Sequence, residues 1–218
     1  MSWLNESTLQ DKITNLLLLL YIIGESNSIG FIEDSLKLQK MTFISELKFV
    51  KKRWKVLNYQ FLRWKRGPFS KNLAEDITKL KEVGLIELKE SIELSKNGLK
   101  FLESTDEIFS TNTQFMKLID NTIKTWANRD SESIMKWVYN QQVIVPKIGK
   151  PMYIQDIPMG TLILFKVSSK NADKLFDLDE SWKATLEVMF NRGALKSLDD
   201  AYIDAIEGNA REFQIRTN

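Results

Sequence analysis

Apolar residues recur along this chain with two periods, and the changes between them mark out its elements. Residues 7–23 carry an almost unbroken apolar run from Leu16 to Ile23, which predicts a buried helix ended by Gly24. A second helix is predicted over 35–54, where Leu38, Met41, Phe43, Ile44, Leu47 and Val50 recur at helical spacing. The period then drops to two. Leu57, Tyr59 and Phe61 alternate with Asn58 and Gln60, which predicts a strand over 57–64 stopped by the Arg66-Gly67-Pro68 turn. Gly67 permits a turn conformation, Pro68 stiffens it, and Ser70 is placed to cap the next helix. That helix shows Leu73, Ile77 and Leu80 on one face and ends at Gly84.

Two short strands follow, 85–88 and 91–94, joined by the charged pair Lys89-Glu90. Ser95 then caps a helix over 96–104 with Leu99 and Leu102 as its apolar residues. A helix, a two-stranded wing and a packing helix in that order predict a winged-helix-like unit, with residues 70–84 in the recognition-helix position. Helices are predicted again over 113–128, with Phe115, Leu118, Ile119, Ile123 and Trp126 inward, and over 131–139. Residues 142–160 hold three of the four prolines, which predicts an extended connector; residues 143–145 and 161–167 have strand propensity.

Two amphipathic helices close the pattern. Trp182, Leu186, Met189 and Phe190 line one face of the first, and Leu195, Leu198, Tyr202 and Ile206 one face of the second, which Gly208 ends. Phe213 lies in a strand-like stretch beyond them. Such faces either pack on their own domain or lie on a partner, and these nine residues are the candidate partner-binding set. The pattern as a whole predicts a mainly α fold with minor β: a winged-helix-like domain over 1–140, a connector over 141–170 and a helical tail over 171–218.

Composition narrows the chemistry. The chain has 218 residues, 43% of them hydrophobic, which suffices for a core. It has no Cys and no His, so disulfides, thiol chemistry, imidazole bases and most transition-metal sites are excluded. No catalytic residue, metal site or cofactor is therefore expected, and an enzyme is disfavoured. The run at Leu16 covers eight residues, well short of the roughly 20 of a membrane span. Glu6 and Asp11 ahead of it, with no small-residue cleavage site after it, argue against a signal peptide, so a cytoplasmic protein is expected.

Charge is unevenly distributed. Between Leu36 and Lys71 there are eleven Lys or Arg against Glu46, whereas residues 172–212 carry ten acids against five bases. A basic face for nucleic acid beside an acidic segment for a basic partner fits this asymmetry, and so does ordinary solvated surface. Arg63, Lys65, Arg66, Lys71, Asn72, Lys79 and Lys89 are the candidate nucleic-acid contacts. Glu75, Asp76 and Glu82 on the same helix oppose phosphate.

Three stretches, Lys37-Leu38-Gln39-Lys40-Met41, Lys65-Arg66-Gly67-Pro68-Phe69-Ser70 and Gly84-Leu85-Ile86 after a Leu-containing helix, together resemble the Panacea-domain (SocA-like) family over residues 8–139. Arg66 stands where that family usually has an aromatic. The resemblance implies a largely helical winged-helix-like domain in an antitoxin, a proteolysis adaptor or a related regulator, without catalytic residues. The tail words Ala184-Thr185-Leu186-Glu187-Val188-Met189, Leu195 to Ala201 and Ala205-Ile206-Glu207-Gly208 through Phe213 resemble the toxin-neutralising ends of Phd-like and RelB-like antitoxins. Both resemblances imply an antitoxin whose acidic tail binds a cognate toxin and which autoregulates its operator DNA. The alternatives are a winged-helix transcription regulator, with a homodimer among the expected assemblies, and a proteolysis adaptor.

Overall fold

The computed structural model describes residues 7–145 and 148–206. Thr8 starts the first helix, α1 (Leu9–Ile29): its hydroxyl accepts the Asp11 N–H at 3.1 Å, and the Asp11 carboxylate accepts the Thr8 N–H at 3.3 Å. The sequence pattern predicts an end at Gly24, but α1 runs on to Ile29. Gly24 is there for packing, since a Cβ would fall 2.7 Å from Leu102 and 2.9 Å from Leu94. Leu16 to Leu20 are all buried, so over that stretch α1 is apolar around its whole circumference and lies within the core.

Asp34 caps α2 (Ser35–Lys51), which packs beside α1 and leads through Arg53 into β1 (Trp54–Lys55). Residues Val56 to Tyr59 are buried without alternation, and Asn58 is tied to Asn15 of α1 at 2.8 Å, so the predicted strand over 57–64 shrinks to β2 (Phe61–Trp64). Residues 66–68, predicted to stop the strand, instead turn it into a hairpin with β3 (Gly67–Phe69), pairing Trp64 with Gly67, whose φ is +97°. Ser70 caps α3 (Lys71–Glu82), whose Leu73, Ile77 and Leu80 are buried. The predicted hairpin is present as β4 (Ile86–Leu88) and β5 (Ile92–Leu94), followed by α4 (Lys96–Ser104). In α4 Phe101 faces the core, while Leu99 is exposed.

The helical series continues with α5 (Asp106–Thr111), α6 (Thr113–Trp126) and α7 (Ser131–Tyr139). The region predicted as a connector holds an antiparallel hairpin, β6 (Gln142–Val145) with β7 (Lys150–Tyr153), and then β8 (Leu162–Leu164), which adds to β2. Burial of Val143, Val145, Ile154, Ile157, Ile163 and Leu164 draws this stretch onto the helices. Next, β9 (Lys174–Leu175) pairs in parallel with β1, and α8 (Glu180–Met189) packs against α1. Last comes α9 (Arg192–Ile206). The fold is mainly α with a minor β part, as the sequence pattern predicts. No helix among the described residues is long and apolar enough to cross a membrane.

Candidate functional site

Two of the three resemblance-bearing words meet in space. Gln39 of α2 donates through Nε2 to the Ser70 carbonyl and accepts the Ser70 N–H, both at 2.9 Å, so the Lys-Leu-Gln-Lys stretch holds the turn that launches α3. Lys37 is buried and donates to the carbonyls of Phe31 at 2.8 Å and Ala127 at 2.9 Å, joining α2 to the ends of α1 and α6. These residues organise the fold, and their polar groups are occupied by backbone.

Part of the basic excess between Leu36 and Lys71 is likewise internal, while Lys51, Lys52, Arg53, Lys65, Arg66 and Lys71 are exposed. Lys37 caps carbonyls, Lys48 donates to the Thr122 hydroxyl at 2.9 Å, and Lys55 pairs with Asp11. Burial lowers the Lys40 and Lys48 ammoniums below their ordinary range. Of the candidate nucleic-acid contacts, Arg63 is half-buried, donates to the Ile154 carbonyl at 3.0 Å and stacks over Tyr139. Lys65 and Arg66 are exposed at the β2–β3 turn. Lys71 pairs with Glu75, Lys89 pairs with Glu87, and Asn72 is exposed. Lys79 lines a groove of about 570 Å³ between α1, α3 and the α8–α9 corner, with Leu9, Ile13, Val83 and Phe190 on its walls and Glu75 and Glu82 beside it. The exposed side of α3 therefore carries paired and mixed charge.

The candidate partner-binding residues divide between two helices. Leu186 and Phe190 of α8 are 0% and 2% exposed, Phe190 stacking on Phe101 of α4, and Trp182 and Met189 are packed partly against the same core. The first tail helix thus belongs to the fold, and Leu186 and Phe190 have no surface to offer a partner. Leu195 at the start of α9 is half-buried and lines a second groove with Val83, Phe101 and Met189. Beyond it the face turns to solvent: Leu198 is 57%, Tyr202 69% and Ile206 68% exposed, and Ile203 is exposed as well. Phe213 and the stretch after Ile206 lie outside the described residues.

Sequence reasoning overlooked a buried polar group under the start of α1. Asp11 accepts from Lys55 of β1 and, at 3.2 Å, from Lys166, which follows β8; Glu46 of α2 is buried nearby with neither carboxylate oxygen hydrogen-bonded. The lysines hold the Asp11 carboxyl below its ordinary value although burial, the largest single influence, pushes it up. Burial, with the Asp11 charge, pushes the Glu46 carboxyl well above its own. The available signal was Glu46 itself, an acid set between the core residues Ile44 and Leu47. A partly buried carboxylate, Asp76 of α3, accepts the Tyr59 hydroxyl at 2.7 Å. No group of three or more acids that could hold a metal occurs among the described residues. Comparison of the chain with family models, with curated proteins and with solved structures yields no match.

Proposed function

We propose that the protein is an antitoxin-like regulator of the Panacea (SocA-like) type, which binds and neutralises a cognate protein toxin through α9 and the residues that follow it. The observation that supports this reading is the contrast between α8 and α9. Both have amphipathic sequences, yet the apolar face of α8 is covered by the core and that of α9, from Leu198 to Ile206, stands in water. A row of exposed apolar anchors on a helix fits a groove on another protein. Asp199, Asp200 and Asp204 give the same helix an acidic sequence, suited to a basic cleft. In this reading α3 and the β4–β5 hairpin form a winged-helix-like scaffold, and the protein acts by binding without catalysing a reaction.

Operator binding is the second role in this proposal, carried by the exposed Lys65-Arg66 turn. The ion pairs Lys71–Glu75 and Lys89–Glu87 make α3 and the hairpin poorer phosphate contacts, so toxin binding stands first.

The test is co-expression with the product of the adjacent reading frame. The two proteins should co-purify, and Tyr202→Asp with Ile206→Asp should release the partner and restore its toxicity without lowering the stability of the regulator. A complex that survives both substitutions and the removal of residues 192–218 would rule the reading out. Self-association lost with the same substitutions, and no captured partner, would make α9 a homodimer contact instead.

A further inference from the structure

Two ammoniums converge on one carboxylate beneath the N-terminus of α1. Lys55 reaches Asp11 Oδ1, while Lys166 reaches Asp11 Oδ2 at 3.2 Å and donates to Ser7 Oγ at 3.1 Å. The three side chains are almost wholly withdrawn from solvent. Each ammonium carries three N–H donors, so two on Lys55 and one on Lys166 have no partner among the described residues.

Glu46, the other buried acid near the group among the described residues, does not balance it. Glu46 is 1% exposed and makes no ion pair with either lysine, and its two carboxylate oxygens accept no hydrogen bond. Burial, the largest influence, and the negative Asp11 push its carboxyl up and favour the neutral form, while the Lys166 and Lys55 charges pull the other way. Among the described residues one cation thus exceeds the anions in a place largely withdrawn from solvent, where an uncompensated charge is costly.

Lys55 and Asp11 open onto a cleft of about 380 Å³ between the start of α1, β1 and β9. Thr8, Thr14, Asn58 and Ser169 give it hydroxyl and amide groups, and Val56 and Phe176 give it an apolar wall. Lys183 of α8 stands at the rim, paired with the exposed Glu180. Donors and a surplus cation on one side, with an apolar wall on the other, match a small amphiphilic anion.

We propose that this cleft binds a small organic anion, with its carboxylate or phosphate group on the Lys55 ammonium beside Asp11 and its apolar part against Val56 and Phe176. The site is separate from α9 and requires no toxin partner. Because β9 and α8 form part of its wall, an occupant bridges the N-terminal helix to the segment that leads into α9.

The full chain titrated with inorganic phosphate, and separately with hexanoate, tests this, with sodium chloride holding ionic strength constant and backbone amide NMR shifts as the readout. Saturable shifts confined to residues 8–14, 55–58 and 175–176 are expected, and the anion that produces them identifies the head group. Lys55→Met should weaken binding about tenfold, as expected for loss of one charge-assisted hydrogen bond. Lys183→Met, at the more exposed rim, should weaken it as well and covers the case in which the Lys55 variant fails to fold. Glu46→Gln should leave affinity unchanged. Failure of both anions to saturate, or equal affinity in the Lys183 variant, overturns the proposal. Binding that appears only in Glu46→Gln also overturns it, because Glu46 would then be the lysines' own counter-ion.

Discussion

Asp76 shows how one partly buried carboxylate sets a pH dependence. Its side chain accepts the hydroxyl of fully buried Tyr59, which anchors α3 to the core. Desolvation pushes the Asp76 carboxyl up to about 6, although the Tyr59 hydrogen bond and the Lys79 and Lys12 charges pull the other way. Its ordinary value is 3.8. Between those two values the folded chain holds a proton that the unfolded chain has released, so stability falls as pH rises from about 4 to about 6 and stays lower above. Asp76→Asn keeps an acceptor for Tyr59 and removes the charge. It should raise stability at pH 8 by about 1 to 3 kcal/mol and bring no gain near pH 4. Urea unfolding at the two pH values checks this, and parallel curves for the two proteins would show that Asp76 is not strained. Gln39 illustrates the same scale differently: its two bonds to Ser70 are invisible in a linear sequence, where it reads as one polar residue between core positions.

Helices α8 and α9 look alike in sequence and behave differently in the fold. Each has an apolar stripe at helical spacing, but Leu186 is completely buried between α8 and the core, whereas Leu198 faces water. Leu186→Ala should therefore cost about 2 to 5 kcal/mol, and Leu198→Ala should change stability by no more than about 0.5 kcal/mol. Chemical unfolding of the two variants separates core from surface directly. The stripe was legible in both helices because periodicity is local; its destination was not, because that depends on which distant surface remains uncovered. The same division runs through the other elements. Caps at Ser70 and Ser95 and the β4–β5 hairpin follow from short-range chemistry, and the sequence pattern locates them. Gly24 reads as a stop signal and proves to be a close-packing position, since only the neighbouring Leu94 and Leu102 reveal the need for a missing side chain. The Asp11–Lys55–Lys166 group escaped for a related reason, its members being spread over 155 residues.

At the scale of the molecule, the segments after residue 140 complete the core. β8 extends the β2–β3 sheet, and β9 lies parallel to β1. Asn112 forms a two-way clamp with the backbone of Asp177, donating to its carbonyl and accepting its N–H, both at 2.8 Å. Phe176 packs on Phe115, and Phe190 packs on Phe101. A chain ended after Asn140 would uncover the partners of Ile163, Leu164, Phe176, Leu186 and Phe190 together. Loss of each such side chain typically costs about 2 to 5 kcal/mol, and their sum, about 10 to 25 kcal/mol, matches or outweighs the roughly 5 to 15 kcal/mol that hold an ordinary domain. That truncation should lose cooperative thermal unfolding and amide shift dispersion. A chain ended after Asn191 retains all five residues and should keep both properties, since among the described residues it removes only half-buried positions such as Leu195 and an exposed helical face. A sharp transition in the shorter chain would support a boundary near residue 140, whereas collapse of the longer one would mean that α9 supports the fold as much as α8 does.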